Sequence, residues 1–377
     1  MENILLSGAL AFIITFFAIP IIIEVARKKK LFDEPDERKV HKVVIPTLGG
    51  LGIFAGFILA ILLGVPKTAI NAELQYFAAA AIVIFFLGIK DDILILSASK
   101  KFLGQLIAAC IIIKFGGVHL NNMHGFLGLH SIPRFASGVL TLFTVLVVIN
   151  SFNLIDGIDG LAGSLGLLTT LVFGTYFLIA GDIMYAIIAF SMAGSLIGFL
   201  VYNFSPAKIF MGDTGSLLIG LVNAILVIKF INIAGNPASA IFLPSAPAIG
   251  FAILIVPLFD TLRVFSLRLL DKRSPFSPDT IHIHHFLLDL GLTHRNITLS
   301  CVVANFGFIA LAFLLRNMGT TIVIAVLLAT ALISTIIIYY SRPKNNKVIT
   351  TNNSASTSTA VKSAKILTLV TERAETK

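Results

Sequence analysis

TLFTVLVVINSFNLIDGIDGLAGSLGLLTTLVFG, residues 141–174, sets two apolar runs on either side of a short acidic break that contains glycine. The first run belongs to a stretch over 136–151 and the second to one over 160–180. Each has the ~15 to 22 residues needed to cross ~30 Å of hydrocarbon at about 1.5 Å per residue. The runs are continuous rather than alternating, which selects helices over a closed barrel. Between them stand Asn153, Asp156 and Asp159, spaced by three so that one turn of helix would give them a common face. Carboxylates beside a bilayer are costly unless something uses them.

The rest of the chain repeats this pattern. Of its 377 residues, 57% are hydrophobic and 12% charged, with a mean hydropathy of +0.97. A soluble domain carries roughly a quarter charged residues, so the composition predicts an all-α polytopic integral membrane protein. Eleven spans are expected, over 4–26, 48–65, 73–90, 102–116, 136–151, 160–180, 182–203, 213–233, 246–268, 297–316 and 320–340. Beyond residue 340 the chain turns rich in Ser, Thr, Asn and Lys. It divides into a membrane domain, 1–340, and a disordered, solvated tail, 341–377.

All but five of the 28 Lys and Arg lie in alternate loops, at their adjoining span ends or in the tail; Lys67, Lys114, Arg134, Lys229 and Arg316 are the exceptions. The positive-inside rule then puts the N-terminus outside and the C-terminus in the cytoplasm, with inner loops at 27–47, 91–101, 152–159, 204–212 and 269–296. The first span lacks a basic leader and is followed by Arg27-Lys28-Lys29-Lys30, the reverse of a secretory signal. The net charge of +9 sits in short loops beside spans, where it meets lipid headgroups rather than nucleic acid. Cys110 and Cys301 each fall inside an apolar run and read as buried thiols. His119, His124 and His130 lie among glycines on the outer side and read as a polar hairpin or loop.

This orientation brings four polar clusters to the cytoplasmic face. Asp91-Asp92 ends the third span, and a paired acid can bind a divalent cation or share a proton. In the 153–160 break, an Asn carbonyl with carboxylates offers hard oxygens suited to Mg²⁺ or Mn²⁺ rather than zinc. Met211-Gly212-Asp213-Thr214-Gly215-Ser216 opens the eighth span, where Asp213 is placed either to cap the helix or to reach a phosphate through a cation. His282-Ile283-His284-His285 follows Asp271-Lys272-Arg273, and imidazoles beside cations suit phosphates, sugars and proton carriage. His41, Lys42 and Lys101 add positive charge, which orientation and lipid contact explain as well as substrate does. Acids, a cation and basic residues at one membrane face suit phosphoryl transfer between a soluble diphosphate and a lipid.

In this order the clusters resemble the polyprenyl-phosphate N-acetylhexosamine-1-phosphate transferases, of the glycosyltransferase family 4 type. The resemblance runs from about residue 20 to 340 and takes in His41 to Gly50, Asp91-Asp92 with Leu96 to Gln105, Asn153 to Gly160, Met211 to Ser216, Pro257 to Thr261 and His282 to His285. His-Ile-His-His followed by Leu-Leu-Asp-Leu-Gly is most similar to the branch that transfers GlcNAc 1-phosphate. Ile93 to Ile95 depart from the pattern, since many relatives place a charge after the paired acids. The resemblance implies an eleven-helix fold in the inner membrane. It implies transfer of a sugar 1-phosphate from a UDP-sugar to undecaprenyl phosphate, with release of UMP, to start a lipid-linked polymer such as O-antigen or wall teichoic acid. It further implies Mg²⁺ held by Asn153 and Asp213, with Asp91 or Asp92 acting on the lipid phosphate. Asp156, Asp159, His282, His284 and His285 would contact the donor's uridine diphosphate or sugar, and His41, Lys42 and Lys101 are further candidate substrate contacts. A muramoyl-pentapeptide or other UDP-HexNAc donor, a cation-coupled transporter and a non-catalytic scaffold are the competing readings. A homodimer is left open.

Overall fold

A computed structural model describes residues 2–29, 32–33, 45–66, 72–94, 96–272 and 282–343. His41, Lys42 and the tail beyond residue 343 lie outside the described residues. Chain contacts separate Met1–Arg342 from Pro343–Lys377, and the first unit is described here. Its helices are α1 (Glu2–Lys29), α2 (Gly49–Gly64), α3 (Ala72–Leu94), α4 (Ala98–Cys110), α5 (Arg134–Ile155), α6 (Leu161–Ala180) and α7 (Ile183–Asn203). There follow α8 (Gly212–Ala234), α9 (Ala246–Ile253), α10 (Ile255–Leu270), α11 (Ile283–Asp289), α12 (His294–Leu314) and α13 (Thr320–Ser341). Two small antiparallel ribbons complete it: β1 (Phe32–Asp33) with β2 (Ile45–Pro46), and β3 (Asn122–Phe126) with β4 (Leu129–Ser131).

Among the described residues, seven helices are long and apolar enough to cross a bilayer: α1, α5, α6, α7, α8, α12 and α13. The α9–α10 pair, bent by 84°, makes an eighth if it is one span. The other expected spans correspond to α2 with 16 residues, α3 with Lys90-Asp91-Asp92 near its end, and α4, which runs on into a π-helical turn at Ile111–Phe115. With no water in hydrocarbon to satisfy a free backbone, apolar runs of this length fold as helices.

α8 is the axis of the bundle and packs against α2, α3, α5, α6 and α9. Its central stretch is 83% buried, whereas that of α13 is 22% buried. Phe152, Phe173, Phe177, Phe199 and Phe230 fill the interior, while Leu5, Phe17, Phe143, Val303 and Ile337 face outward, as expected where lipid is the solvent. Cys301 is buried, but Cys110 is exposed on the flank of α4, contrary to the expectation from its apolar run. An apolar run predicts burial in either protein or lipid, and it does not distinguish the two. The segment carrying His124 and His130 forms the β3–β4 hairpin, held to α13 where the Thr320 hydroxyl donates to the His124 carbonyl at 2.7 Å.

The expected span over 246–268 is broken at Leu254. Pro257 has no N–H for the Ile253 carbonyl four residues back, and its ring crowds that carbonyl. Asn305 of α12, fully buried, repairs the gap: its Nδ2 donates to the Ile253 carbonyl at 3.0 Å and its Oδ1 accepts from the Val256 N–H at 3.2 Å. The bend sends α10 off the bundle axis and carries Asp260 and Arg263 toward α11.

Candidate active site

The end of α3 meets the start of α8 through glycine. A methyl group on Gly88 would lie 2.4 Å from the Thr214 Cα, so only glycine lets the two backbones touch. Gly212 has φ +70°, and a side chain there would also strike the Thr47 carbonyl and the Asp92 carboxylate. Asp92 lies directly over the α8 N-terminus. Its oxygens accept from the Asp213 N–H at 2.6 Å, the Thr214 N–H at 3.1 Å and the Thr214 hydroxyl at 2.5 Å. Two of the orphan donors at the positive dipole end of α8 are therefore satisfied by an acid from another helix. Asp213 does not cap its own helix, and Asp92 takes the N–H groups of Asp213 and Thr214 that an anion at the α8 N-terminus would otherwise meet.

Freed from capping, Asp213 turns toward α4 and α5. Its Oδ1 accepts from Asn153 Nδ2 at 2.7 Å, and its Oδ2 is ion-paired with the Lys101 ammonium. Asn153 Nδ2 also donates to the Ser216 hydroxyl at 3.0 Å. Lys101 Nζ lies 3.1 Å from Asp91 Oδ2 and 3.1 Å from Asn153 Oδ1. Asp91 in turn accepts from the Leu96 N–H at 2.5 Å, which closes the turn between α3 and α4. An ammonium is thus surrounded by two carboxylates and an amide carbonyl, all hard oxygens. Among the described residues no group of three or more His, Cys, Asp or Glu forms a metal-binding set; the donors here are two acids and an amide.

The acids of the 153–160 break do not stay on one face. α5 ends at Ile155, and Gly160 at φ +75° starts α6, so Asp156 to Gly160 form a turn. Asp156 is half-buried. Burial, and then the charges of Asp213, Asp92 and Asp159, push its carboxyl well above the usual carboxylate range. Asp159 is buried and turned toward α12. It accepts from the Ala207 N–H at 3.2 Å, lies 3.3 Å from His294 Nδ1, and its backbone carbonyl takes the Thr298 hydroxyl at 2.9 Å.

The histidines form the other half of the site. Asp260 Oδ2 lies 2.8 Å from His282 Nδ1, and its Oδ1 accepts from the Ile283 N–H at 3.0 Å and from Arg263 at 2.8 Å. The rings of His282 and His284 stack with centroids 5.5 Å apart. The His284 ring fills the space above Gly157, where a methyl group would come within 2.9 Å of Nε2. The two halves therefore meet at the Asp156–Gly160 turn. Burial, reinforced by His285, pulls His284 down to about 3, so its ring is neutral at neutral pH. His285 is half-buried.

The structure thus joins Asp91, Lys101, Asn153 and Asp213, with Asp92 anchoring α8 and Asp156 alongside. It sets His282 and His284 across the turn and directs Asp159 elsewhere. Ser216, Arg263 and His294 were not singled out from the sequence. Asp260 stood out only as part of a motif, though an acid within an apolar run is itself a signal. A hollow of about 780 Å³ at the far end of α8 is lined by Glu73, Asp182, Tyr185 and Lys229. It shares no residue with this cluster.

The fold and site together define a polytopic helical membrane protein with acids, a lysine and histidines gathered at one end of the bundle. Residues 74–231 match glycosyl transferase family 4, and the chain belongs to that family. A relative in Bacillus subtilis, named a probable undecaprenyl-phosphate N-acetylglucosaminyl 1-phosphate transferase, is 34% identical over 84% of this chain and 87% of its own. The decaprenyl-phosphate N-acetylglucosaminephosphotransferase of Mycobacterium leprae is 32% identical over 79% and 80%. The undecaprenyl-phosphate alpha-N-acetylglucosaminyl 1-phosphate transferase of Escherichia coli K12 is 31% identical over 76% and 78%.

Proposed function

We propose that the protein transfers N-acetylglucosamine 1-phosphate from UDP-N-acetylglucosamine to undecaprenyl phosphate, releasing UMP and starting a lipid-linked envelope polysaccharide. The observation that carries this reading is the convergence of Asp91, Lys101, Asn153 and Asp213 where four helices meet at one end of an apolar bundle. The names of the relatives, all polyprenyl-phosphate N-acetylglucosamine 1-phosphate transferases, support the same class. The basic loops support an eleven-span topology in the inner membrane, with the N-terminus outside, the cluster cytoplasmic and 341–377 a cytoplasmic tail.

In the reaction an oxygen of the lipid phosphate attacks the β-phosphorus of the donor. The bond from that phosphorus to the bridging oxygen breaks, and UMP leaves with the α-phosphate. Asp91 takes or holds the proton of the lipid phosphate, since Asp92 is committed to α8. The hard oxygens of Asp213 and Asn153, already gathered at an ammonium, fit Mg²⁺ or Mn²⁺. When bound, such a cation neutralises diphosphate charge. Lys101 then supplies a second positive charge. Asp156, His282, His284 and His285 line the way from this cluster to the donor's sugar or uridine. Asp159 holds the turn that presents Asp156. His41 and Lys42 are proposed as further donor contacts.

The test uses purified protein in detergent with undecaprenyl phosphate, UDP-N-acetylglucosamine and either Mg²⁺ or excess chelator. Metal-dependent release of UMP, with a lipid-linked GlcNAc diphosphate, is expected. Product only with a muramoyl-pentapeptide or another UDP-sugar would move the donor, and silence with every donor would refute the transferase reading.

A further inference from the structure

One turn beneath the acid cluster, α4 and α5 are tied a second time. Gln105 lies four residues after Lys101 on α4, and Asn150 lies three before Asn153 on α5, so the same two helix faces carry two rungs. The first rung is the Lys101–Asn153 contact. The second is a reciprocal amide pair: Asn150 Nδ2 donates to Gln105 Oε1 at 2.8 Å, and Gln105 Nε2 donates to Asn150 Oδ1 at 3.4 Å. The remaining Asn150 hydrogen goes to the Leu146 carbonyl at 2.8 Å. Gln105 is 1% exposed. An amide is costly in such surroundings unless both its ends are matched. A reciprocal pair has one favourable alignment, so it fixes the sliding register of the two helices as well as their separation.

That register matters to the cluster above. Lys101 comes from α4 and Asn153 from α5, while Asp91 and Asp213 come from α3 and α8. A slip of α4 against α5 would withdraw the ammonium from one carboxylate or the amide carbonyl. Misplacing a reacting group by ~1 Å can cost ~100-fold in rate.

We infer that the Gln105–Asn150 amide pair is a positioning device for the transfer reaction, setting the spacing of Lys101 and Asn153; the inference rests on the transferase reading of the cluster. Neither side chain has a hydrogen bond to the acids themselves, so both act through their neighbours.

The test compares full-length wild type with Gln105→Leu, Asn150→Leu and the exchange Gln105→Asn/Asn150→Gln, which keeps both amides and the summed side-chain length. UMP release gives kcat and KM for UDP-N-acetylglucosamine. Reductive methylation followed by mass spectrometry gives the reactivity of Lys101 independently of any activity. Each single variant, checked for monodispersity, is expected to lose about 10- to 100-fold in kcat, with KM moving less than about threefold. Lys101 should be methylated faster, and the exchange should restore most of both. Wild-type kcat and Lys101 reactivity in Gln105→Leu would overturn the inference, as would a folded exchange variant no better than the singles. If wild type transfers no phosphosugar, the transferase reading fails on its own. The methylation arm then still decides, because unchanged Lys101 reactivity in Gln105→Leu refutes the positioning.

Discussion

Replacing Asn305 with leucine keeps the shape of a buried side chain but removes both hydrogen bonds that seal the broken span. The Ile253 carbonyl has no alternative donor within its helix, because the residue four further on is Pro257. The Val256 N–H likewise loses its acceptor in an apolar interior. Each orphaned buried group costs ~1–3 kcal/mol, so about 2–6 kcal/mol is expected for the two. For a chain of this size that corresponds to a fall of roughly 3–8 °C in apparent Tm. The assay is thermal unfolding of detergent-purified protein followed by size-exclusion chromatography, with Asn305→Asp alongside. Aspartate keeps the acceptor for Val256 but loses the donor to Ile253. Activity should fall too, since α10 carries Asp260 and Arg263 to the histidines. A leucine variant within about 1 °C of wild type would refute the idea that Asn305 holds the break.

Asp213→Asn should abolish transfer, by about 10³-fold or more on the scale of lost electrostatic stabilisation, while leaving Asp92 on the α8 N–H groups and Tm little changed; near-normal UMP release would count against the cluster as the site. For Asp156 the folded carboxyl is raised, so its contribution is favourable below the unfolded value near ~4 and is lost as pH rises through the folded one. Asp156→Asn should therefore raise the Tm of metal-free protein more at pH 8 than at pH 5 in scanning fluorimetry, and an equal gain at both would refute the charge crowding. His284 has the opposite sense: lowered to about 3, it stabilises above the unfolded value of ~6.5, and that share is lost as pH falls from there toward 3. His284→Asn should flatten the acid side of the Tm profile, and a parallel profile would contradict a neutral ring.

The helices and the four polar clusters were legible because both are local properties: apolar length sets a span, and an acid at its end stands out against it. Asp91, Asn153 and Asp213 were found this way and do meet. Division of labour within a cluster was not legible. Asp91 and Asp92 are adjacent and chemically identical, and only the crossing of α3 over α8 commits one to backbone N–H groups and leaves the other beside Lys101. Asp159 shared the spacing of Asn153 and Asp156, yet Gly157 and Gly160 end the helix and turn it toward His294. The break at Leu254 hides in a long apolar run whose one warning is Pro257, and its repair comes from an Asn some fifty residues later. Gln105 stood only at the end of a motif and Asn150 sat unremarked inside an apolar run, although a polar residue in such a run needs a partner.

The seat of Asp92 on α8 has a consequence for what the protein ignores. An uncovered helix N-terminus attracts any phosphate, whether inorganic, nucleotide or sugar-linked. Here a tethered carboxylate, which never dissociates and is present at high local concentration, permanently occupies that seat. A phosphate approaching α8 therefore meets a carboxylate where two backbone N–H groups would have stood, and anion recognition falls to the side chains around it. The helix dipole is used to hold α3 against α8, and selectivity among anions is left to the neighbouring side chains.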